Sequence, residues 1–64
     1  MQMITTIKPR LLYIREVEQI INKSRATLRR WWMNGKFPKP TLLNGFTLAW
    51  RTEVIEEWMD NNMM

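Results

Sequence analysis

The sequence lacks both cysteine and histidine among its 64 residues. A disulfide bond and a zinc site built from Cys and His ligands are therefore excluded, so the chain depends on side-chain packing for its stability. It also has no run of about 18 consecutive apolar residues, which argues against a membrane-spanning helix. Residues 1–10 show neither the apolar core nor the small-residue cleavage site of a secretory signal peptide. We therefore predict a cytoplasmic protein that does not bind membranes.

Groups that could carry out catalysis are also scarce. Ser24 has no histidine to activate it, and Glu56 and Glu57 are adjacent residues on a helix face that we expect to be solvated. The only two glycines, Gly35 and Gly45, stand apart, so they form no phosphate-cradling loop. Because so short a chain does not easily enclose a substrate pocket, we expect neither enzymatic activity nor a cofactor.

Charge is distributed unevenly along the chain. Residues 1–52 hold all ten basic side chains and two acidic ones, a formal charge of +8, whereas residues 53–64 hold four acidic side chains and no basic one. This asymmetry predicts a polyanionic partner on one side of the protein and a solvated face on the other. The length allows one domain at most, which we predict over residues 1–64 with an ordered core of about residues 10–60.

Hydrophobic periodicity predicts two helices in the first half of the chain. The first spans Ile14 to Ile21, and its apolar arc contains Ile14, Val17, Ile20 and Ile21. Its N-cap is poor because no Ser, Thr, Asp or Asn precedes it. The residues before it, Leu11-Leu12-Tyr13, are expected to pack as a short extended segment. Asn22-Lys23 forms a tight turn.

The second predicted helix begins after Ser24, a favourable N-cap, and runs to about Asn34. Gly35 supplies the left-handed position that ends it. The segment 37–40 cannot be helical because proline lacks a backbone donor and restricts the residue before it. One side of this helix is apolar and holds Leu28, Trp31 and Trp32. The opposite side is mostly basic and holds Arg25, Ala26, Arg29, Arg30 and Met33.

A β-hairpin and a third helix are predicted to complete the chain. Asn44-Gly45 tolerates positive φ at both positions and predicts a two-residue type I′ turn. The flanking strands would be Thr41 to Leu43 and Phe46 to Trp50, with apolar residues alternating along the second. Thr52 is expected to cap a helix of about residues 53–61 with one apolar and one acidic face. The order predicts a small α+β winged helix-turn-helix: a helix-turn-helix, a two-stranded wing hairpin and a C-terminal helix.

The exposed face of the second helix is the main candidate for function. Helix-turn-helix proteins lay this helix in the major groove with its N-terminal residues towards the base edges. Here that face carries Arg25, Arg29 and Arg30, with Lys23 in the preceding turn. Arginine bonds bidentately to guanine or phosphate, and the helix amides offer a further phosphate site. A merely solvated basic face is the alternative, which the absence of a matching acidic residue there disfavours.

At these residues the chain resembles a known family. The segment 24–40 is similar to the AlpA family of prophage regulators, whose pattern is Ser-Arg, an apolar-rich helix, Gly, a basic residue and Phe-Pro-x-Pro. The resemblance covers about residues 10–59, because Arg10-Leu11-Leu12, Glu16-Val17, Trp50-Arg51, Glu53-Val54 and Trp58 also match. Thr27-Leu28-Arg29, with Gly35 eight residues after Thr27, also resembles the MerR-type winged helix, although the long dimerising helix of that family is missing.

The resemblance implies a winged-helix protein of a phage or mobile element that binds double-stranded DNA at repeated sites near a promoter or attachment site. It would act as an excisionase, which is a recombination directionality factor, or would activate transcription of an integrase or excision gene. An integrase is a second candidate partner, and the protein is expected to be a monomer in solution or cooperative on DNA. The candidate DNA-binding residues are Lys23, Ser24, Arg25, Thr27, Arg29, Arg30, Lys36 and Lys39.

Several alternatives stay open at this point. Phe46 stands where the family usually has a basic residue, and a packed strand residue is favoured over an apolar wedge between base steps. Lys36 and Lys39 are either phosphate contacts or ordinary solvated lysines. The four tryptophans are expected in the core rather than as stacking platforms, with Trp32 the better candidate for exposure. A different class of function is a protein-interaction module that binds an integrase or signalling partner through the C-terminal helix or an exposed tryptophan.

Overall fold

The structure is a computed structural model that describes residues 9–62, and within this range it contains three strands and three helices. This order confirms the small α+β winged helix-turn-helix fold. No helix within the described range is long and apolar enough to cross a bilayer. The elements are β1 (Leu11–Tyr13), α1 (Ile14–Ile21), α2 (Arg25–Met33), β2 (Thr41–Leu43), β3 (Thr47–Arg51) and α3 (Thr52–Asn62).

Helix α1 follows β1 without a linker and has the predicted bounds. Val17 and Ile21 are buried, but Ile20 lies at the edge of the apolar arc and stays exposed. The carboxylate of Glu16 compensates for the missing N-cap side chain, since its Oε1 accepts a 2.8 Å hydrogen bond from the Tyr13 backbone N–H. Asn22, with a φ of 62°, ends the helix in the left-handed region that asparagine tolerates.

The sheet has three antiparallel strands in the order β1-β3-β2. The predicted hairpin is therefore present, and the extended segment before α1 adds a strand on the other side of β3, with Leu12 opposite Trp50. Thr52, predicted to be the N-cap of α3, is instead its first residue. Its backbone N–H donates to the carbonyl oxygen of Arg10 and its hydroxyl to that of Pro9. These bonds fasten the residues preceding β1 to the start of α3.

The hairpin turn corrects the prediction for Phe46. Asn44 and Gly45 both have positive φ, and the Phe46 N–H donates to the Leu43 carbonyl oxygen at 3.1 Å, as expected. However, Leu43 pairs with Thr47, so the loop holds three residues and β3 begins one residue later than predicted. Phe46 thus lies outside the strand ladder, where no cross-strand neighbour covers it. It is not a packed strand residue, because 79% of it is exposed.

The core lies between the helices and one face of the sheet. Trp50 on the central strand packs edge-to-face against Trp32 of α2, with ring centroids 5.5 Å apart, and against Phe37, at 5.9 Å. The central strand thereby connects α2 with the segment that leads to the wing. The buried cluster comprises Leu12, Val17, Ile21, Leu28, Trp32, Phe37, Trp50 and Ile55.

The adjacent tryptophans of α2 have the opposite exposures to those predicted. Trp32 is only 9% exposed because the ring of Trp50 covers it, whereas Trp31 is half-buried against Phe37 and Trp58. The helical wheel placed Trp32 beside the polar face, but it contained no information about the sheet that closes over that side. All four tryptophans belong to or border the core.

Candidate nucleic-acid interface

The N-terminal end of α2 is held by hydrogen bonds on both sides of the helix-turn-helix turn. Ser24 is its N-cap, as predicted, since Ser24 Oγ accepts a 3.2 Å bond from the Thr27 N–H. Before it, the backbone N–H groups of Asn22 and Lys23 both donate to the Glu18 carbonyl oxygen. These bonds fix the direction in which α2 leaves α1, which determines the surface that α2 presents.

The cap also orients the hydroxyl of Thr27. The Ser24 hydroxyl donates its hydrogen to Thr27 Oγ1 at 3.1 Å, so the Thr27 oxygen accepts within the protein. The hydrogen of the Thr27 hydroxyl meets no acceptor among the hydrogen bonds of residues 9–62. Ser24 accordingly has a structural task, while Thr27 has an unused donor on the first turn of the helix.

The C-terminal end of α2 closes in a Schellman motif. The Lys36 N–H donates to the Trp31 carbonyl oxygen at 2.8 Å, and the Gly35 N–H to that of Trp32 at 3.5 Å. Gly35 adopts a φ of 77°, which only glycine reaches at low cost. The helix therefore ends at a defined residue, and the chain turns there towards the wing.

Two tryptophan side chains hold the link between α2 and the wing. The indole N–H of Trp58 donates to the Lys36 carbonyl oxygen at 2.9 Å, and that of Trp50 donates to the Pro38 carbonyl oxygen at 2.8 Å. Between these anchor points the ring of Phe37 is buried, with its centroid 4.8 Å from that of Trp58. Two backbone carbonyl oxygens of the link thus accept hydrogen bonds from tryptophans that belong to or border the core. These bonds fix the position of the wing relative to α2.

The structure places every basic residue of the predicted site at the surface. Arg25 and Arg29 are four residues apart on α2 and therefore lie one above the other, with Arg30 beside them. Lys23 precedes the start of the helix, Arg25 lies in the first turn and Arg29 one turn later, whereas Arg30 lies in the last turn, so the basic face runs along most of α2. Lys36 and Lys39 are not part of this group. They follow the C-terminal end of α2, so the length of the helix, roughly one and a half nanometres at about 1.5 Å per residue, separates them from Lys23.

The electrostatics of α2 favour an anion. Its first turn contains no acidic residue, so nothing there offsets the positive end of the helix dipole. Within residues 9–62, no ion pair neutralises the guanidinium groups of Arg25, Arg29 and Arg30. Three exposed acidic residues, Glu53, Glu57 and Asp60, lie on α3 instead, and a fourth, Glu16, lies in the first turn of α1. The surface can therefore receive phosphate without breaking an existing salt bridge.

Exposed apolar residues accompany the basic ones. Met33, which is 65% exposed, lies four residues after Arg29 on the same face of α2. On the wing, Phe46 and Leu42 are exposed by 79% and 54%. Phe46 was not among the predicted DNA-binding residues. Residues 40–50 contain no charged side chain, so the wing differs in charge from α2.

Comparison with known proteins connects this surface to one family. The family model described as Prophage CP4-57 regulatory protein (AlpA) matches residues 10–63. The match spans both helices of the helix-turn-helix, the wing and α3. The search of curated proteins and the search of solved structures found no match.

Proposed function

The chain belongs to the AlpA family of prophage regulatory proteins, and we propose that it binds duplex DNA sequence-specifically by placing α2 in the major groove. The observation that carries the proposal is the exposed, unpaired basic face of α2 at the capped end of a helix-turn-helix. A second helix in this arrangement directs its N-terminal residues to base edges. Arg25 lies in the first turn of α2, and Arg29 lies one turn later on the same face.

The proposed contacts divide into base readout and phosphate binding. Arg25 and Arg29 are the candidates for bidentate bonds to guanine, since they project from the first two turns of α2. Lys23, Arg30 and the Thr27 hydroxyl would bind phosphate, together with the free amides of the first turn. Ser24 would contribute indirectly, because its side chain caps α2 and so holds the first turn in place. Exposed Met33 would meet apolar base edges such as thymine methyl groups.

Lys36 and Lys39 would bind phosphates at a second position. They lie beyond the C-terminal end of α2, on the link to the wing, and both are exposed. Since the core holds this link through the Lys36 and Pro38 carbonyls, the two ammonium groups start from a fixed backbone. Contacts at both ends of α2 would set the angle of the helix in the groove.

The biological role that fits this binding is regulation of a phage or mobile element in the cytoplasm, without enzymatic activity. The protein would act as an excisionase or as an activator of an integrase or excision gene. One such module makes few base contacts, so tight binding would require adjacent copies on repeated sites. Binding to an attachment-site arm in a ladder of complexes would indicate an excisionase, and binding to the promoter alone would indicate an activator.

The test of this function is selection from a randomised duplex pool, followed by gel shifts on the selected sequence. We expect the parent protein to prefer the selected duplex to a scrambled one, and Arg25→Ala with Arg29→Ala to lose that preference. Arg51→Ala is the matched control, because it removes one exposed guanidinium from the sheet face opposite Trp50. Equal binding of the selected and scrambled duplexes by the parent would contradict sequence-specific recognition.

A second candidate function rests on an open groove at the other end of α2. Half-buried Trp31 and Trp58 line it together with Lys36, Pro38 and Asn62. An integrase or another protein partner would bind there through exposed aromatic surface. The double arginine variant separates the two functions, since it should abolish DNA binding and leave capture of such a partner intact.

A further inference from the structure

The wing has a composition opposite to that of α2. Residues 40–50 carry no charge, and the two most exposed apolar side chains in this stretch are Phe46 and Leu42. A wing that bound DNA by attraction to phosphate would need basic residues at its tip. The exposed phenyl ring therefore requires a different explanation.

The hairpin tip projects beyond the rest of the sheet. Strand β1 pairs with β3 only from Ala49 to Arg51, so the pair formed by Leu42 and Leu48 has no third strand beside it. Phe46 lies further out still, between the turn and the first paired residue of β3. The aromatic ring is thus carried at the end of a two-stranded ribbon.

The residues around that ring do not cover it, since 79% of Phe46 is exposed. Gly45 precedes it with a φ of 84°, and a Cβ atom added to Gly45 would itself meet nothing within 4 Å. Asn44 and Thr47 are the other neighbours, and both are small and uncharged. No carboxylate lies in residues 40–50 to repel a phosphate backbone. The tip is narrow, apolar and electrostatically neutral.

We propose that Phe46 is an apolar wedge that enters the minor groove and unstacks a base step next to the site occupied by α2. The inference rests on the proposed DNA-binding function and adds a second mode of recognition to it. Proteins that bend DNA insert apolar side chains between base pairs in this way. Pyrimidine–purine steps unstack most readily, so the wing would select such a step without hydrogen bonds to its bases.

A protein partner is disfavoured by the size and position of the tip. A stable protein interface buries roughly 800 Å² on each side, and one phenyl ring on a three-residue loop supplies only a fraction of that. A wedge needs a single side chain on a fixed support. That support exists, because the link to the wing is bonded to the indoles of Trp50 and Trp58. The wing is also continuous in sequence with the proposed recognition helix.

The experiment measures unstacking and bending directly on the selected duplex. Adenines in the probe are replaced one at a time by 2-aminopurine, whose fluorescence rises when it is unstacked, and the bend is measured by energy transfer between end labels. The variants are Phe46→Ala, Phe46→Leu, which keeps an apolar wedge, and Leu42→Ala, which removes exposed apolar surface below the tip. Melting curves of all three establish that they fold.

We expect the parent protein to raise fluorescence at one step and to bend the duplex. Phe46→Ala should lose both signals and bind up to about tenfold more weakly. Its salt dependence should be unchanged, because no charge is removed. Phe46→Leu should retain most of both signals, and Leu42→Ala should behave as the parent does.

Two results would overturn the wedge and leave the DNA-binding function intact. One is parental fluorescence and bending by Phe46→Ala on a duplex that it still binds. The other is a defect confined to complexes with several copies, with single copies bending DNA normally, which would identify the tip as a self-association surface. Failure of the parent protein to bind any selected duplex would instead overturn both proposals.

Discussion

Helix α2 and the wing follow one another closely in the sequence but differ in charge and in the kind of side chain that they expose. Helix α2 presents three exposed arginines and is closed at both ends by hydrogen bonds. The wing presents an uncharged tip with an exposed phenyl ring. Under the two proposals the tasks would be divided, with charge on α2 supplying affinity for phosphate and bases and shape on the wing supplying selection for deformable DNA.

The largest effect is expected from Trp50→Ala, which removes the side chain that connects the two regions. Trp50 is almost completely buried against Trp32 and Phe37, and its indole bonds Pro38. We expect a loss of about 3–5 kcal/mol in the free energy of unfolding. Thermal melting followed by circular dichroism measures it. Trp58→Ala is the comparison, and it should lower the free energy of unfolding by less because Trp58 is only partly buried. Equal stability of Trp50→Ala and the parent would refute the central role of Trp50.

The next effect concerns α2 alone. Arg29→Ala should weaken binding to the selected duplex by about 1–3 kcal/mol if Arg29 reads a base, with relaxed specificity at one position. If it contacts only phosphate, weakening should be uniform across sequences. Fluorescence anisotropy with a panel of single-base variants distinguishes these outcomes. Affinity equal to that of the parent on every duplex would remove Arg29 from the contact surface.

Substitutions of Ser24 separate the cap from the binding surface. Ser24→Ala removes the acceptor for the Thr27 N–H and should cost about 0.5–2 kcal/mol of stability. Ser24→Asp keeps a cap acceptor and suits the helix dipole, so stability should be retained. Its negative charge should nevertheless weaken binding to phosphate. Chemical denaturation measures the stability of both variants, and gel shifts measure their affinity for DNA. Binding by Ser24→Asp as tight as that of the parent would show that DNA does not approach this end of α2.

The smallest effect is expected at the wing turn. Gly45→Ala places a side chain at a φ of 84°, where nothing crowds it, so only the backbone conformation is penalised. The cost should be about 1 kcal/mol. Thermal melting measures it, and Gly45→Asn is the control because asparagine tolerates this region better. A stabilised Gly45→Ala variant would show that the turn is not held in this conformation.

Local signals in the sequence predicted most of the fold. Ser24 and Gly35 mark the ends of α2 because a cap acceptor and a positive φ are properties of single residues and their immediate neighbours. Asn44-Gly45 predicted the turn for the same reason. The basic face of α2 followed from helical periodicity once the helix was placed.

Features that depend on distant residues were predicted less well. The exposure of Phe46 depends on whether the ladder resumes at residue 46 or 47, which pairing with β2 decides. The burial of Trp32 depends on Trp50, eighteen residues later in the chain. Strand β1 forms only because β3 offers a free edge. None of these can be inferred from the periodicity of one segment.

The most direct test of the account is the salt dependence of binding to the selected duplex for the parent, Arg29→Ala and Phe46→Ala. If charge on α2 and shape on the wing have separate tasks, Arg29→Ala should lower the slope of log affinity against log salt by about one when Arg29 contacts phosphate. Phe46→Ala should weaken binding and leave the slope unchanged. Identical slopes for all three proteins, together with unchanged affinity for Arg29→Ala, would contradict the assignment of α2 as the DNA-binding surface.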